Sequence, residues 1–96
     1  MRLYQNEVNI IKNTILSSIE DAKIILFGSR VFDNKKGGDI DICIETKYEI
    51  PLSQKLKILT KIELAGIQRK VDLVLKTPKT KYQPIFDTIS KEGIVL

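Results

Sequence analysis

Three aspartates stand in two short apolar stretches of the chain. Asp39 and Asp41 alternate with isoleucines in residues 39–45, and Asp72 lies in the similar stretch 70–75. Successive side chains of a β-strand point to opposite faces, so the alternation predicts that Asp39 and Asp41 share the face opposite to their isoleucines. Their Cα atoms are then roughly 6.6 Å apart, close enough for both carboxylates to approach the same ions. Asp72 joins them if its strand lies beside theirs.

Clustered carboxylates of this kind favour hard-cation chemistry. Like charges disfavour one another's ionisation unless a cation lies between them, and all-oxygen ligation suits Mg²⁺ or Mn²⁺. The chain has no His and a single Cys, Cys43, which excludes Ser-His and Cys-His nucleophile pairs and imidazole zinc sites. An Asp-Ile alternation also occurs on ordinary strands with one solvated face. Aspartate is nevertheless depleted from strands. Three aspartates that bring no evident gain in the stability of the fold therefore indicate a functional site.

A second candidate, Gly28-Ser29, directly follows the apolar stretch 23–27. Glycine allows the backbone to approach a ligand closely, and a helical turn after it would direct N–H groups and the Ser29 hydroxyl at a phosphate. Taken alone, Gly-Ser is only a turn signal. Combined with the aspartates, it predicts a phosphate-binding turn beside a two-metal carboxylate site.

The elements that must position these residues follow from hydrophobic periodicity. Helical spacing of apolar residues predicts three helices, and short β-branched or alternating stretches predict the strands. The resulting order α-β-β-α-β-α predicts an α/β (α+β) fold, a small mixed β-sheet with helices packed on one face. We expect helices at 5–20, 51–65 and 81–92, strands at 23–27, 39–45 and 70–75, a short closing strand at 94–96, and an apolar stripe on the second helix formed by Leu52, Leu56, Leu59, Ile62 and Leu64.

Length and composition limit the number of domains and the classes of protein to which the chain can belong. The 96 residues carry a net charge of +4 and predict one domain over residues 1–96. The longest apolar run has four residues, 24–27, so neither a membrane span nor an export signal is expected. The lysines are scattered rather than clustered, which disfavours nucleic acid as the direct substrate. A lone cysteine fits a reducing cytoplasm.

Three segments together resemble the motifs of a known family. The Gly-Ser segment 25–30, the Asp-x-Asp segment 39–42 and the segment 70–74 around Asp72 look like the motifs of the DNA polymerase β-like nucleotidyltransferases. The resemblance covers essentially the whole chain. More specifically, the chain is similar to the minimal nucleotidyltransferases of prokaryotes, in which a tail like 92–94 is often found. It implies a nucleotidyltransferase palm-like fold in a single minimal domain.

The resemblance also implies a role for each motif residue. Asp39, Asp41 and Asp72 would be the catalytic residues and would bind two Mg²⁺ ions, with Mn²⁺ as an alternative. Asp72 would also lie next to the attacking hydroxyl and help to deprotonate it. The triphosphate of ATP would be bound by Gly28, Ser29 and Arg30, although Arg30 is equally well read as an ordinary exposed loop arginine. The chain departs from the family's pattern at Phe32, Asp33 and Gly38.

Family members of this type are antitoxins that sit beside a HEPN-domain ribonuclease toxin. The resemblance therefore implies a protein adenylyltransferase that transfers AMP from ATP to a tyrosine of that toxin, in the cytoplasm and as part of a hetero-complex or homo-oligomer. Two alternatives remain open at this point. One is a non-catalytic antitoxin that neutralises the toxin by binding, and the other is a small-molecule nucleotidyltransferase.

Overall fold

The computed structural model describes residues 5–28 and 39–96, which form helices and strands in the predicted order. Helix boundaries differ from the prediction by a few residues. The first helix ends at Ser18 rather than at residue 20, and the last begins at Pro84, whose fixed φ suits the first helical turn. The elements are α1 (Gln5–Ser18), β1 (Lys23–Phe27), β2 (Ile40–Glu45), α2 (Leu52–Leu64), β3 (Val71–Lys76), α3 (Pro84–Glu92) and β4 (Ile94–Val95).

The strands form one mixed sheet in the order β3-β2-β1-β4. β1 is antiparallel to both β2 and β4, whereas β2 and β3 are parallel. Parallel neighbours need a crossover connection, and α2 supplies it between β2 and β3. The predicted fold class, a small mixed sheet combined with helices, is confirmed, and the closing strand is β4.

The main core lies between one face of the sheet and the helices α1 and α2. In β2 the isoleucines at alternate positions all point to this face, as the period of two requires. In α1 the buried residues recur at helical spacing, which places them along one side of the helix. The fully buried side chains of this core include Ile11, Ile15, Ile19, Leu26, Ile40, Ile42, Ile44, Ile58 and Ile62.

The last helix packs on the opposite face, so the prediction that all helices share one face is wrong for α3. Phe86 and Ile89 of α3 form a second cluster with Ile25 and Phe27 of β1 and with Cys43 of β2. The physical reason is that β1 is apolar at every position after its first, so both faces of this central strand need covering. Asp41 and Asp72 point to this same face of the sheet, and both side chains are partly buried.

The predicted apolar stripe of α2 is only partly correct. Ile62 is buried and Leu59 is partly buried, but Leu52 and Leu56 are 67% and 53% exposed. Leu64 is 81% exposed, and the second buried residue is Ile58, outside the predicted stripe. At 100° per residue, Leu52 and Leu56 lie roughly a third of a turn away from the direction of Ile58 and Ile62. Helix α2 therefore has one apolar stripe in the core and another in solvent.

None of the helices in the described part of the chain combines the length and the apolar character needed to cross a membrane.

Candidate functional site

The sheet brings Asp41 and Asp72 together at one end of two parallel strands. Asp41 on β2 is the register partner of Asp72 on β3, so the two side chains point to the same face from strands about 4.8 Å apart. On its other side Asp41 pairs with Phe27, the last residue of β1. The end of β1, and with it Gly28, therefore lies beside Asp41.

The third predicted carboxylate, Asp39, directly precedes β2 and is exposed. It is two residues before Asp41, which places it on the same side of the strand. Burial raises the pKa of Asp41, and the charges of Asp72 and then Asp39 raise it further. Both burial and the neighbouring carboxylates therefore disfavour the charged form of Asp41.

Position 28 requires glycine for two reasons, its backbone conformation and its close approach to Asp41. Its φ of +78° lies in the left-handed region, which a residue with a Cβ adopts only at a cost. A Cβ placed on Gly28 would also run into the Asp41 carboxylate at Oδ2. The glycine thus leaves the space in which the carboxylate sits. The other predicted phosphate-binding residues, Ser29 and Arg30, lie outside the described residues, as do Phe32, Asp33 and Gly38.

Lys70 is a residue of the site that the sequence reasoning did not single out. Its Nζ lies 3.7 Å from Oδ1 of Asp72; the Lys70 side chain is exposed and that of Asp72 is about half-exposed. The available signal was its position two residues before Asp72, which puts both on one face of the strand. Its carbonyl accepts a hydrogen bond of 2.8 Å from the Ile40 N–H, so the start of β3 is fixed against the start of β2.

A second feature that was not predicted from the sequence is an ion pair that anchors the segment leading to Asp72. Glu7 of α1 is 8% exposed, and its Oε2 lies 3.8 Å from Nε of Arg69. Arg69 immediately precedes Lys70, so this ion pair joins α1 to the segment that enters β3. Helical periodicity could not reveal it, because it links residues more than sixty positions apart.

The donor chemistry of the aspartates fits a hard divalent cation. Asp39, Asp41 and Asp72 offer only carboxylate oxygens, the ligands that Mg²⁺ prefers, and the charges of Asp72 and Asp39 add to burial in raising the pKa of Asp41. Within residues 5–28 and 39–96, however, no three His, Cys, Asp or Glu side chains converge as a ready-made metal cage. The described arrangement therefore provides acidic oxygens on a shared face rather than a closed coordination shell.

Comparison with known proteins decides the family. The family model described as Polymerase beta, Nucleotidyltransferase matches residues 9–96. The chain belongs to the polymerase β nucleotidyltransferase family. No curated protein gives a significant match.

Two solved structures share the fold of this nucleotidyltransferase. One is an MNT antitoxin in complex with a tri-AMPylated HEPN toxin of Shewanella oneidensis, with a TM-score of 0.71, 21% identity, and coverage of 95% of this chain and 69% of that one. The other is a putative nucleotidyltransferase from Sulfolobus solfataricus, with a TM-score of 0.52, 16% identity, and coverage of 95% and 82%. The expected nucleotidyltransferase-like fold is confirmed.

Proposed function

We propose that this chain is an antitoxin that transfers AMP from ATP to a tyrosine hydroxyl of a partner HEPN-type ribonuclease toxin and thereby neutralises it. The observation that carries the proposal is the register pairing of Asp41 with Asp72 beside Gly28, in a member of the polymerase β nucleotidyltransferase family. The similarity to an MNT antitoxin in complex with a tri-AMPylated HEPN toxin supports both the group transferred and the class of partner. A reaction that consumes ATP places the pair in the cytoplasm.

Asp39, Asp41 and Asp72 are the residues that would hold two Mg²⁺ ions, with Mn²⁺ as a substitute. Bound there, the ions would neutralise phosphate charge and align the attacking and leaving oxygens. Gly28 and Ser29 would bind the triphosphate through backbone N–H groups and the Ser29 hydroxyl, with Arg30 pairing with its oxygens.

The acceptor hydroxyl needs activation, because the pKa of a tyrosine is ordinarily near 10. In the proposed reaction its oxygen attacks the α-phosphorus of ATP, a new P–O bond forms, and pyrophosphate leaves. The Asp72 side chain is 44% exposed near the start of β3, where a hydroxyl from another protein can reach it. Asp72 assists in removing the hydroxyl proton, so the nucleophile approaches transfer as an oxyanion.

The test is transfer of label from α-labelled ATP to the product of the adjacent gene in the presence of Mg²⁺. We expect the wild-type chain to label a tyrosine of that protein and to restore growth of cells that express it. Asp39→Ala combined with Asp41→Ala should reduce labelling at least about a thousandfold, because the reaction loses the oxygens that hold the ions. Glu20→Gln is the matched control, since Glu20 is exposed near the opposite end of β1.

The result also separates catalysis from simple binding. A double Asp39→Asn, Asp41→Asn variant that no longer transfers AMP but still protects cells would identify a binding antitoxin and overturn the catalytic proposal. Labelling of free drugs or nucleotides, with none on the adjacent gene's product, would instead identify a small-molecule nucleotidyltransferase.

A further inference from the structure

The backbone of β3 has one row of polar groups without a partner. β3 is a terminal strand of the sheet and has β2 as its neighbour. The Lys70 carbonyl accepts a hydrogen bond from the Ile40 N–H, and in a parallel pair every second residue bonds to the neighbouring strand. The N–H and C=O groups of Val71, Leu73 and Leu75 therefore point away from β2. In the described part of the chain, nothing forms a hydrogen bond with them.

An open strand edge of this kind is a template for pairing with a further strand. Natural sheets commonly protect such an edge with a proline or a bulge. β3 has neither, since it contains no proline and pairs with β2 over six consecutive residues. Its charged residues are Asp72 near its start and Lys76 at its end. These two charges decide which strand can pair with it.

The charges of β3 fit a second copy of the same strand. A two-fold axis perpendicular to the sheet makes the two strands antiparallel, and their free groups then meet in a small set of registers. Centring the axis on Val74 opposes Asp72 of each copy with Lys76 of the other, an attractive cross-strand pair. Centring it on Leu73 would oppose Lys70 with Lys76. Centring it on Asp72 would bring the two Asp72 carboxylates together. Among the registers that pair most of β3, the charges therefore select the one centred on Val74.

Helix α2 presents an apolar stripe to solvent. Its members Leu52 and Leu56 are 67% and 53% exposed. At 100° per residue, both lie about 160° round the helix from Gln54. The Gln54 Nε2 donates a hydrogen bond of 3.1 Å to the carbonyl of Ser18, the last residue of α1. The stripe therefore faces away from α1.

The stripe reaches the open edge of the sheet. Leu59 and Glu63 continue it at helical intervals after Leu56, and both line a cavity of about 690 Å³ together with Val71 of β3. Val71 packs against the main core, on the face of the sheet opposite to Asp72. The stripe and the edge thus lie side by side, clear of the face that carries Asp72. We call them together the edge surface, which consists of the side chains of Leu52, Leu56, Leu59 and Glu63 and the free backbone groups of β3.

Glu63 gives the edge surface an electrostatic match with itself. The two-fold axis that makes β3 antiparallel to its copy does the same for α2, so the C-terminal end of one stripe comes to the N-terminal end of the other. The first turn of α2 contains no acidic residue, and Pro51 makes no side-chain capping hydrogen bond. The Glu63 carboxylate of each copy therefore approaches a helix N-terminus, which attracts negative charge.

We propose that the edge surface binds a second copy of this chain and joins the two four-stranded sheets at their β3 edges. The leucine stripes of the two copies pack against each other on one face of the joined sheet. Each Asp72 faces Lys76 of the other copy on the opposite face. The pairing hydrogen bonds lie in the plane of the sheet, so both candidate sites stay on one face of the dimer. The inference goes beyond the proposed function and does not depend on it.

Sedimentation of the purified chain tests the surface without a partner or a substrate. A series from about 1 µM to 1 mM should show a reversible monomer–dimer equilibrium. Leu56→Glu should raise the dimer Kd at least about tenfold, because it places a charge in the apolar contact. Leu64→Glu is the matched control, since Leu64 is 81% exposed on another side of α2, and it should change Kd less than about twofold. In dilute solution, where all three proteins are monomers, their melting midpoints should agree within about 3 °C.

A charge exchange tests the register. Lys76→Asp should raise the dimer Kd at least about fivefold, because two attractive cross-strand pairs become repulsive. Asp72→Lys alone should weaken the dimer in the same way. The chain with both changes again has opposite charges at the facing positions, and its Kd should return to within about threefold of the wild type. A general loss of stability from either change would not be reversed by the other.

Amide hydrogen exchange followed by NMR tests the backbone pairing. The Leu73 and Leu75 N–H groups should exchange rapidly in the monomer and become protected as the concentration rises. The Val74 N–H, which points to β2, should be protected at every concentration.

Each other outcome contradicts a specific part of the proposal. A chain that stays monomeric up to about 1 mM overturns it, and so does equal weakening of the dimer by Leu56→Glu and Leu64→Glu. A dimer that depends on Leu56 but leaves the Leu73 and Leu75 amides unprotected overturns the sheet pairing. Protection of these amides by the adjacent gene's product, and not by concentration, assigns the edge to that protein and overturns the second copy. None of these results bears on AMP transfer, which is measured separately.

Discussion

Asp41 of β2 and Asp72 of β3 are direct register partners across a parallel strand pair, and both point to the face of the sheet on which α3 packs. Nothing in a folded sheet favours two acidic side chains at opposed positions, since like charges on neighbouring strands repel. Burial and the charges of Asp72 and Asp39 raise the pKa of Asp41 accordingly. The fold therefore carries an electrostatic cost at this position, which points to a cation-dependent role.

Replacing Asp41 by Asn should leave the metal-free protein at least as stable as the wild type near neutral pH. A carboxyl whose pKa is raised on folding contributes stability that is fully present below about pH 4 and is lost as pH rises through the raised value. The variant has no carboxyl at this position and does not lose this contribution. Its free energy of unfolding relative to the wild type should therefore increase with pH and then level off. We expect a gain below about 1 kcal/mol, because Asp41 is partly exposed and screened by solvent. Urea unfolding in EDTA between pH 4 and 8 measures it.

Glu20→Gln serves as the comparison, because Glu20 is an exposed carboxylate near the opposite end of β1, away from the acidic end of β2 and β3. Its pH profile should not show the same divergence from the wild type. A clear loss of stability in the Asp41→Asn protein without metal would mean that the Asp41 carboxylate makes favourable contacts in the fold, contrary to the shared-site interpretation.

Divalent cations should stabilise the wild-type protein and not the Asp41→Asn variant. A ligand that binds only the folded state adds about 2.7 kcal/mol at a hundred times its Kd. For a domain of this size, that corresponds to a rise of roughly 10 °C or more in Tm. Thermal melts over a Mg²⁺ series, repeated with Mn²⁺ and after EDTA, test this. Equal shifts in both proteins would place the cation elsewhere.

Strand periodicity explains why the acidic face was predictable. A period of two assigns every residue of a strand to a face, so the positions of Asp39, Asp41 and Asp72 follow once their segments are recognised as strands. The pairing of β2 with β3 follows from topology, because α2 connects them as a crossover between parallel neighbours.

Contacts between distant segments explain what could not be predicted. Helical periodicity identifies apolar sides of α2 but not which of them meets the sheet, so Leu52 and Leu56 were assigned to the core and are exposed. The pairing of Glu7 with Arg69 depends on how α1 is placed over the sheet. The apolar run of β1 did contain a usable signal, since a strand buried on both faces needs a helix on each side, and α3 provides the second.

Cys43 should be unreactive in the folded protein although it lies two residues after Asp41. Its side chain is fully buried under α3, and burial together with the charge of Glu45 raises its pKa to about 11. At pH 8 only about one thiol in a thousand is then ionised. Iodoacetamide should label the native protein very slowly and the urea-unfolded protein within minutes. Cys43→Ala should keep full transfer activity while losing about 1–2 kcal/mol of stability, and loss of transfer in a folded Cys43→Ala protein would contradict the packing role.

Gly28→Ala should damage the site and the fold together. The left-handed φ of +78° costs a residue with a Cβ about 1–2 kcal/mol. The added Cβ would also collide with Oδ2 of Asp41 and push the Asp41 carboxylate out of its position. We expect the apparent affinity for Mg²⁺ to fall at least about tenfold. The rate of AMP transfer should fall by a similar or larger factor. Mg²⁺ titrations followed by thermal melts measure the first effect without relying on activity.

Gly66→Ala separates strain from contact in this experiment. Gly66 has a φ of +107°, so alanine is strained there as well, but apart from its two chain neighbours no atom of residues 5–28 and 39–96 lies within 4 Å of the position of the new Cβ. Both variants should therefore lose stability to a comparable extent, about 1–2 kcal/mol. Only Gly28→Ala should lose Mg²⁺ affinity, because only there does the methyl group meet a carboxylate of the site. Equal Mg²⁺ affinity in the two variants would show that Asp41 keeps its function without the space that Gly28 provides.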